Sequence, residues 1–171
     1  MATSDANPCE FCGSSTGHGD ERDWFMPLTL EAAHVERLGR GIWEQIPAHR
    51  PVHLVVVATG GVGMGIAAAA TAPESRLRSV TVVKRAFDFD SPELRAVPGE
   101  AVVVLDNSMH SGASVATVIK HLRSRDIEAE CVITIFDGAN GCEDQARKRL
   151  EDHTGVPVRS CASWADRREW A

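Results

Sequence analysis

The chain has 171 residues, of which 43% are hydrophobic, and a formal net charge of −6. That length and apolar content suffice for one buried core, so we predict one main domain. Apart from the scattered cations Arg147, Lys148 and Arg149 the sequence has no basic stripe, which argues against a nucleic-acid-binding protein. No apolar run reaches the 18 or so residues that a membrane-spanning helix needs, so we predict no membrane association.

The N-terminal segment carries a possible metal-binding motif. Residues 1–5 lack the basic region and apolar core of a signal peptide, so we expect a cytoplasmic protein, whose five cysteines are thiols or metal ligands rather than disulfides. Cys9 and Cys12 have the Cys-x₂-Cys-Gly form of a zinc knuckle. Three alternatives stay open: a zinc site of Cys9, Cys12, Cys142 and Cys161, a site of Cys9, Cys12, His18 and one further ligand, or no metal.

Beyond this arm, predicted as residues 1–27, helices and strands alternate in one α/β domain over residues 28–171. Such alternation is typical of a doubly wound, mainly parallel sheet. The predicted elements, in chain order, are a helix that buries Val35, Leu38, Ile42 and Ile46, a strand at 53–58, a helix at 66–70, a strand through 81–84, a mobile loop at 86–94, a strand at 101–105, a helix through 115–122, a strand at 131–137, a helix at 143–153 and a final strand at 156–161.

The most informative segment is the apolar strand 101–105 with its continuation. Asp106 and Asn107 follow the strand, and the small-residue loop 108–114 then leads into a helix. Backbone N–H groups at the start of a helix bind anions, and Gly112 allows a close approach to the backbone. The absence of a lysine distinguishes this loop from a nucleoside-triphosphate P-loop. The segment therefore predicts a phosphate site, and the alternative is an ordinary strand-turn-helix connection.

A second glycine-rich turn, at residues 59–65, follows the strand 53–58. Its glycines lack the spacing of a dinucleotide fingerprint, and no acidic residue ends the next strand, so we exclude a nicotinamide cofactor. A tight packing turn remains the alternative to an anion site. Lys84 and Arg85, which end the next strand, could neutralise a polyanion, or they form a solvated basic pair.

The segment 101–114 resembles the phosphoribosyl pyrophosphate (PRPP) signature of type I phosphoribosyltransferases. The resemblance implies that Asp106 and Asn107 face the ribose, although Asn107 departs from the family's usual second acid. It also implies that the turn after the first strand faces the pyrophosphate. The implied ligands of the 5′-phosphate are His110, Ser111, Gly112, Ala113 and Ser114, and those of the pyrophosphate are Thr59, Gly60, Gly61, Val62 and Gly63.

Residues 22–166 are most similar to the orotate-specific branch of that family. Two departures argue against orotate itself: Gly138, instead of an arginine, follows Asp137, and the loop 86–94 has acidic residues where the branch has a lysine and a histidine. A buried carboxylate without a cationic partner is costly. In this branch the N-terminal hood covers the base, so the resemblance implies that Trp24 or Phe25 stacks on it, with Asp137 and Gly138 nearby. The alternative is that the aromatic pair covers the core.

The resemblance implies an enzyme that transfers the phosphoribosyl group of Mg²⁺-bound PRPP to a ring nitrogen of a heteroaromatic base other than orotate. Lys84, Arg85 and Asp106 are the predicted catalytic residues, Mg²⁺ is the predicted cofactor, with structural Zn²⁺ as a second, and a homodimer is expected. The alternative function is a non-catalytic regulatory protein that binds PRPP or a nucleotide, which the acidic loop and Asn107 favour.

Overall fold

The computed structural model describes residues 32–47, 50–58, 60–83, 99–107, 112–136 and 143–163. Within these ranges the chain alternates between helices and strands. The elements are α1 (Ala32–Gln45), β1 (Val52–Val57), α2 (Val62–Ala70), β2 (Leu77–Val83), β3 (Ala101–Asp106), α3 (Ala113–Arg123), β4 (Cys131–Phe136), α4 (Glu143–Thr154) and β5 (Val158–Ala162).

The five strands form one sheet in the order β2-β1-β3-β4-β5, and every neighbouring pair is parallel. The three inner strands are mostly apolar, and β1 and β4 are buried along their whole length, including the polar residues His53 and Thr134. Helices cover both faces of the sheet, which explains why these strands do not alternate between apolar and polar residues. The predicted α/β class and doubly wound parallel sheet are confirmed.

Two separate cores lie on the two faces of the sheet. On one face α1 and α2 pack against side chains that include Leu54, Val103 and Ile133. On the other face α3 and α4 pack against the alternate set, which includes Val55, Val104 and Val132. Each inner strand therefore contributes to both cores, as the two-residue period of a strand requires.

The helix α1 buries Leu38 and Ile42, as its spacing predicts, and Ile46 is buried just beyond its end. It also buries Trp43, whose Nε1–H donates to the carbonyl of Ala68 in α2 at 2.9 Å. Val35, predicted for the same face, is only half-buried and packs at the margin of the core. The hydrogen bond from Trp43 to Ala68 fixes how α1 and α2 pack against each other on this face of the sheet.

The last strand begins two residues later than the sequence pattern predicts, at Val158 instead of Val156. Gly155, with a φ of +69°, ends α4, and Val156 is buried before the strand starts. Pro157 lacks an N–H, but its carbonyl accepts a hydrogen bond from Val132 at 2.9 Å. In the ranges that are described, no helix is both long and apolar enough to cross a bilayer.

Candidate anion-binding site

The strand order places a crevice between β1 and β3. The chain goes from β1 outward to β2 and then returns to the other side of β1 for β3. In open α/β sheets ligands bind outside the carboxyl ends of the strands at such a reversal of strand order. We call this edge of the sheet the carboxyl edge. The loops that follow β1 and β3 are the two segments that the sequence pattern predicts to bind anions.

Asp106 and Asn107 lie at the end of β3, the central strand. The backbone N–H of Asn107 donates to Oδ1 of Asp106 at 2.8 Å, so the carboxylate folds back over the following peptide. The carbonyl of Asn107 accepts a hydrogen bond from Ile135 of β4 at 3.1 Å. The two residues are therefore held by the sheet and not by a free loop.

Burial raises the pKa of Asp106 to about 7, because desolvation disfavours the charged carboxylate. The hydrogen bond from the N–H of Asn107 lowers the pKa, but by less. No cationic side chain of the described residues contributes to this balance. Near neutral pH the group therefore exists in both protonation states, and hydroxyl groups of a ligand that hydrogen-bond to the carboxylate would stabilise its charged form.

The loop after β1 contacts the end of β3 through two glycines. A hydrogen bond from the N–H of Gly61 to the carbonyl of Val57, at 2.9 Å, closes the turn. A Cβ on Gly61 would lie 2.7 Å from the carbonyl oxygen of Leu105 and 2.8 Å from that of Val57. A Cβ on Gly60 would overlap the carboxamide of Asn107. The small residues thus bring the two loops into direct contact.

Both loops lead into helices whose first turns point toward this crevice. The N-cap residues are Gly61 for α2 and Gly112 for α3, so neither helix has a side-chain cap at that position. Helix N-termini carry partial positive charge and backbone N–H donors, which favour anions. Gly112 has a φ of +70°, and a Cβ there would also lie 3.4 Å from Leu150 of α4. The carboxyl edge therefore carries two helix starts without side-chain caps and the half-buried carboxyl group of Asp106.

Of the residues predicted to bind PRPP, the structure brings Gly60 and Gly61 together with Asp106 and Asn107. Val62 and Gly63 form the first turn of α2, and Gly112, Ala113 and Ser114 begin α3. The other predicted site residues lie outside the described residues: Trp24, Phe25, Thr59, Lys84, Arg85, His110, Ser111, Asp137 and Gly138. At the carboxyl edge β2 ends at Val83 and β4 ends at Phe136. Lys84 and Asp137 are the residues that follow them in the chain.

Of the four predicted zinc-binding cysteines the structure describes Cys161, which is half-buried in β5. Desolvation raises the pKa of Cys161 to about 12, which opposes the thiolate that zinc requires. Cys9, Cys12, Cys142 and His18 lie outside the described residues. Within the described part of the chain no three His, Cys, Asp or Glu side chains are grouped as a metal site would need. The zinc site stays a prediction.

The contact between Gly60 and Asn107 is the feature of the site that sequence reasoning does not find. The glycine content of the first loop and the Asp-Asn pair are visible in the sequence, but their proximity depends on β1 and β3 being neighbours in the sheet. The reversal of strand order puts these two loops side by side, and it is visible in the structure and not in the sequence.

No protein-family model and no curated protein matches the chain. Solved structures do. The Mycobacterium tuberculosis orotate phosphoribosyltransferase in complex with PRPP is 23% identical, with a TM-score of 0.61 over 81% of this chain and 78% of that one. A phosphoribosyltransferase from Corynebacterium diphtheriae is 21% identical, with a TM-score of 0.60 over 82% and 81%. The adenine phosphoribosyltransferase of Thermoanaerobacter pseudethanolicus is 14% identical, with a TM-score of 0.59 over 81% and 85%.

These similar structures include orotate and adenine phosphoribosyltransferases, so the likeness extends over enzymes of different base specificity. At these identities the likeness concerns the backbone fold. The five-stranded parallel sheet with helices on both faces agrees with the fold that the segment 101–114 predicts. The chain therefore has the α/β fold of the type I phosphoribosyltransferases.

Proposed function

We propose that the protein is a phosphoribosyltransferase that transfers the phosphoribosyl group of PRPP to a ring nitrogen of a heteroaromatic base and releases pyrophosphate. The observation that carries this proposal is the contact between the loops after β1 and β3 at the reversal of strand order. One loop leads into α2 and the other into α3, so one ligand with two phosphate groups could reach both helix starts. PRPP has this form, with a 5′-phosphate and a 1-pyrophosphate on one ribose.

In this proposal Asp106 orients the sugar. Its carboxyl group is half-buried at the end of β3, on the edge of the sheet at which α2 and α3 also start, where it can hydrogen-bond the ribose hydroxyls. The backbone N–H groups at the start of α3 hold the 5′-phosphate, and those of the β1 loop hold the pyrophosphate. Fixed donors of this kind stabilise a leaving group without reorganising during the reaction. Lys84 and Arg85 add positive charge on the pyrophosphate side.

Magnesium fits this site as part of the donor complex. Mg²⁺ in phosphate-binding sites is held by one or two carboxylates together with substrate phosphates. The described residues supply one carboxyl group, that of Asp106, and do not form a protein-only metal site. The ion would neutralise pyrophosphate charge as the bond to the ribose breaks. Asp106 and Asn107 would be the residues that hold that complex at the end of β3.

The acceptor proposed is a heteroaromatic base other than orotate. Gly138 occupies the position at which the orotate branch places an arginine for the substrate carboxylate, and the loop 86–94 is acidic. Without those cations a carboxylated base would enter a site that is already negative. Trp24 and Phe25 are proposed to stack on the base. An uncharged base needs no arginine at position 138, and the acidic loop does not repel it.

The test is pyrophosphate release from PRPP at millimolar Mg²⁺ across a panel of purine, pyrimidine and other heteroaromatic bases, with orotate included. We expect turnover with at least one uncharged base and little or none with orotate. The D106A variant is the negative control, because it keeps the fold and lacks the proposed sugar ligand. Binding of PRPP without turnover for any base supports the alternative, a regulatory PRPP-binding protein, and absence of both binding and turnover contradicts the proposal.

A further inference from the structure

Asn107 links three strands at the carboxyl edge. Its N–H donates to Oδ1 of Asp106 at 2.8 Å, and its carbonyl accepts from Ile135 of β4 at 3.1 Å. Its carboxamide lies against Gly60, the residue before the turn into α2: a Cβ on that glycine would lie 2.6 Å from Nδ2 and closer still to Oδ1 and Cγ. The backbone of Asn107 is therefore fixed by the sheet while its side chain contacts the β1 loop.

The absence of a side chain at Gly60 is explained by this contact and not by the backbone angle. Among the described glycines a positive φ occurs at Gly99, Gly112 and Gly155, and not at Gly60. At Gly61, in contrast, a Cβ would meet backbone carbonyl oxygens, which cannot move aside. A methyl group at position 60 would therefore meet the carboxamide of Asn107 first, and this side chain can move aside.

We propose that Asn107 is a positioning residue that couples the two anion-binding loops, with its carboxamide setting how far the β1 loop lies from the end of β3. This inference rests on the proposed function, since it concerns the same donor site. A donor that carries phosphate groups at both ends of one ribose must match the separation of the two loops. A ligand that occupies only one loop has no such requirement.

The charge balance of the site explains the amide at this position. A carboxylate in place of the carboxamide would put a second negative charge beside Asp106, at the site that must accept an anionic donor. The amide fills the same volume against Gly60 without that charge. The departure of this sequence from the usual acidic pair therefore keeps the contact between the loops and removes one charge.

The first experiment is a double-mutant cycle on PRPP affinity, measured by calorimetry at millimolar Mg²⁺ with G60A, N107A and the double variant. We expect each single variant to weaken binding about tenfold and the double variant to be no weaker than N107A alone, because the methyl group then occupies the space that the carboxamide leaves. The affinity for inorganic phosphate, which the start of α3 would hold without the β1 loop, should change less than about threefold. Independent effects, which multiply to about a hundredfold in the double variant, overturn the coupling.

The matched control is G41A, a glycine-to-alanine change in α1 whose Cβ would lie 3.4 Å from that of Cys161, at ordinary contact distance. Like G60A, G41A replaces a glycine by alanine, but it lies outside the two loops and should leave PRPP affinity unchanged. If G41A weakens binding as much as G60A does, the effect of G60A is a general one and the proposal fails.

A second measurement needs no ligand and separates this inference from the proposed function. The side-chain amide resonance of Asn107, assigned by its loss in N107A, should shift in G60A and stay in place in G41A. If the wild type binds no PRPP, the proposed function fails, and the resonance still tests the contact between the loops. An unshifted Asn107 amide in G60A refutes the coupling whatever the protein binds.

Discussion

The polar groups at the two edges of the sheet differ in whether they have charged partners. At the amino edge, where the strands begin, Nδ1 of His53 lies 2.8 Å from Oγ of Ser79 and its Nε2 lies 2.6 Å from Oε2 of Glu100. Arg78 donates to the other oxygen of Glu100 at 2.8 Å. At the carboxyl edge the half-buried carboxyl group of Asp106 accepts a hydrogen bond from the N–H of Asn107 and forms no ion pair with the described residues.

The pKa values of the two carboxyl groups reflect this difference. Hydrogen bonding from His53 is the largest cause that holds the pKa of Glu100 below its usual value, with Arg78 acting in the same direction. Burial instead raises the pKa of Asp106 to about 7. A network whose members satisfy each other stabilises the fold, whereas a half-buried carboxyl group without a charged partner suits a site that a ligand completes. Variants at the two edges should therefore affect different properties.

The largest effect is expected for D106A. Removing a carboxylate that hydrogen-bonds the donor should lower kcat/KM about a hundredfold, the equivalent of roughly 2.7 kcal/mol. Folding should be preserved, because the variant removes a desolvated group. Pyrophosphate release and urea unfolding measure the two properties, and a D106A protein with wild-type turnover would show that the carboxyl group lies outside the reaction.

H53A should have the converse effect at the amino edge. The variant removes a buried ring and two hydrogen bonds, so the free energy of unfolding should fall by about 2–3 kcal/mol. Donor affinity should not change, because His53 lies at the opposite end of β1. Urea unfolding and calorimetry test this pair of outcomes, and a loss of affinity without loss of stability would remove the distinction between the edges.

The pH dependence of stability should separate the wild type from D106N. Since the folded pKa of Asp106 is raised, its contribution to stability is complete below the unfolded pKa near 4 and is lost as pH rises through about 7. Between pH 5 and pH 8 the wild type should lose on the order of 2 kcal/mol relative to D106N. Urea unfolding of both proteins at the two pH values measures the difference, and parallel pH profiles contradict the raised pKa.

A smaller effect is expected for N107D, which adds a second carboxylate beside Asp106. Charge repulsion should weaken PRPP binding about fivefold at pH 8 and make it more dependent on Mg²⁺ concentration. The two proteins should differ less at pH 6, where Asp106 is mostly protonated. Calorimetric titrations at two Mg²⁺ concentrations provide the test, and equal affinities at every condition speak against a role for the lost charge.

The smallest effect should come from R50A at the amino edge. Arg50 donates to Glu130 at 2.6 Å, but its side chain is 47% exposed, so the pair is screened by solvent. We expect a loss of at most about 0.5 kcal/mol in the free energy of unfolding and no change in donor affinity. A loss as large as that of H53A would mean that the exposed pair belongs to the buried network.

The sequence predicts the fold well because its strongest signals are local. The valine-rich runs of β1 and β3 and the helical spacing in α3 each lie within one element, so neighbouring residues suffice to identify them. The start of β5 at Val158 is less local, since it depends on the pairing of that residue with Val132. Element boundaries therefore require the tertiary structure.

The sequence predicts which residues form the candidate site, but it does not predict how these residues interact. Asp106 and Gly112 are identifiable from a motif, and the positive φ at Gly112 explains why that position has no side chain. The raised pKa of Asp106 depends on how deeply the end of β3 is covered. The contact between Gly60 and Asn107 depends on which strand lies beside which, information that a single sequence does not contain.

The central claim, that the two glycine-containing loops hold the two phosphorylated ends of one sugar, is tested most directly by PRPP titration at millimolar Mg²⁺. The wild type should bind PRPP with one site per chain and more tightly than inorganic phosphate or pyrophosphate alone. G112V, which puts a β-branched residue at a φ of +70° and against Leu150, should lose the preference for PRPP over pyrophosphate. Absence of heat with PRPP in the wild type, or an unchanged preference in G112V, would contradict the account.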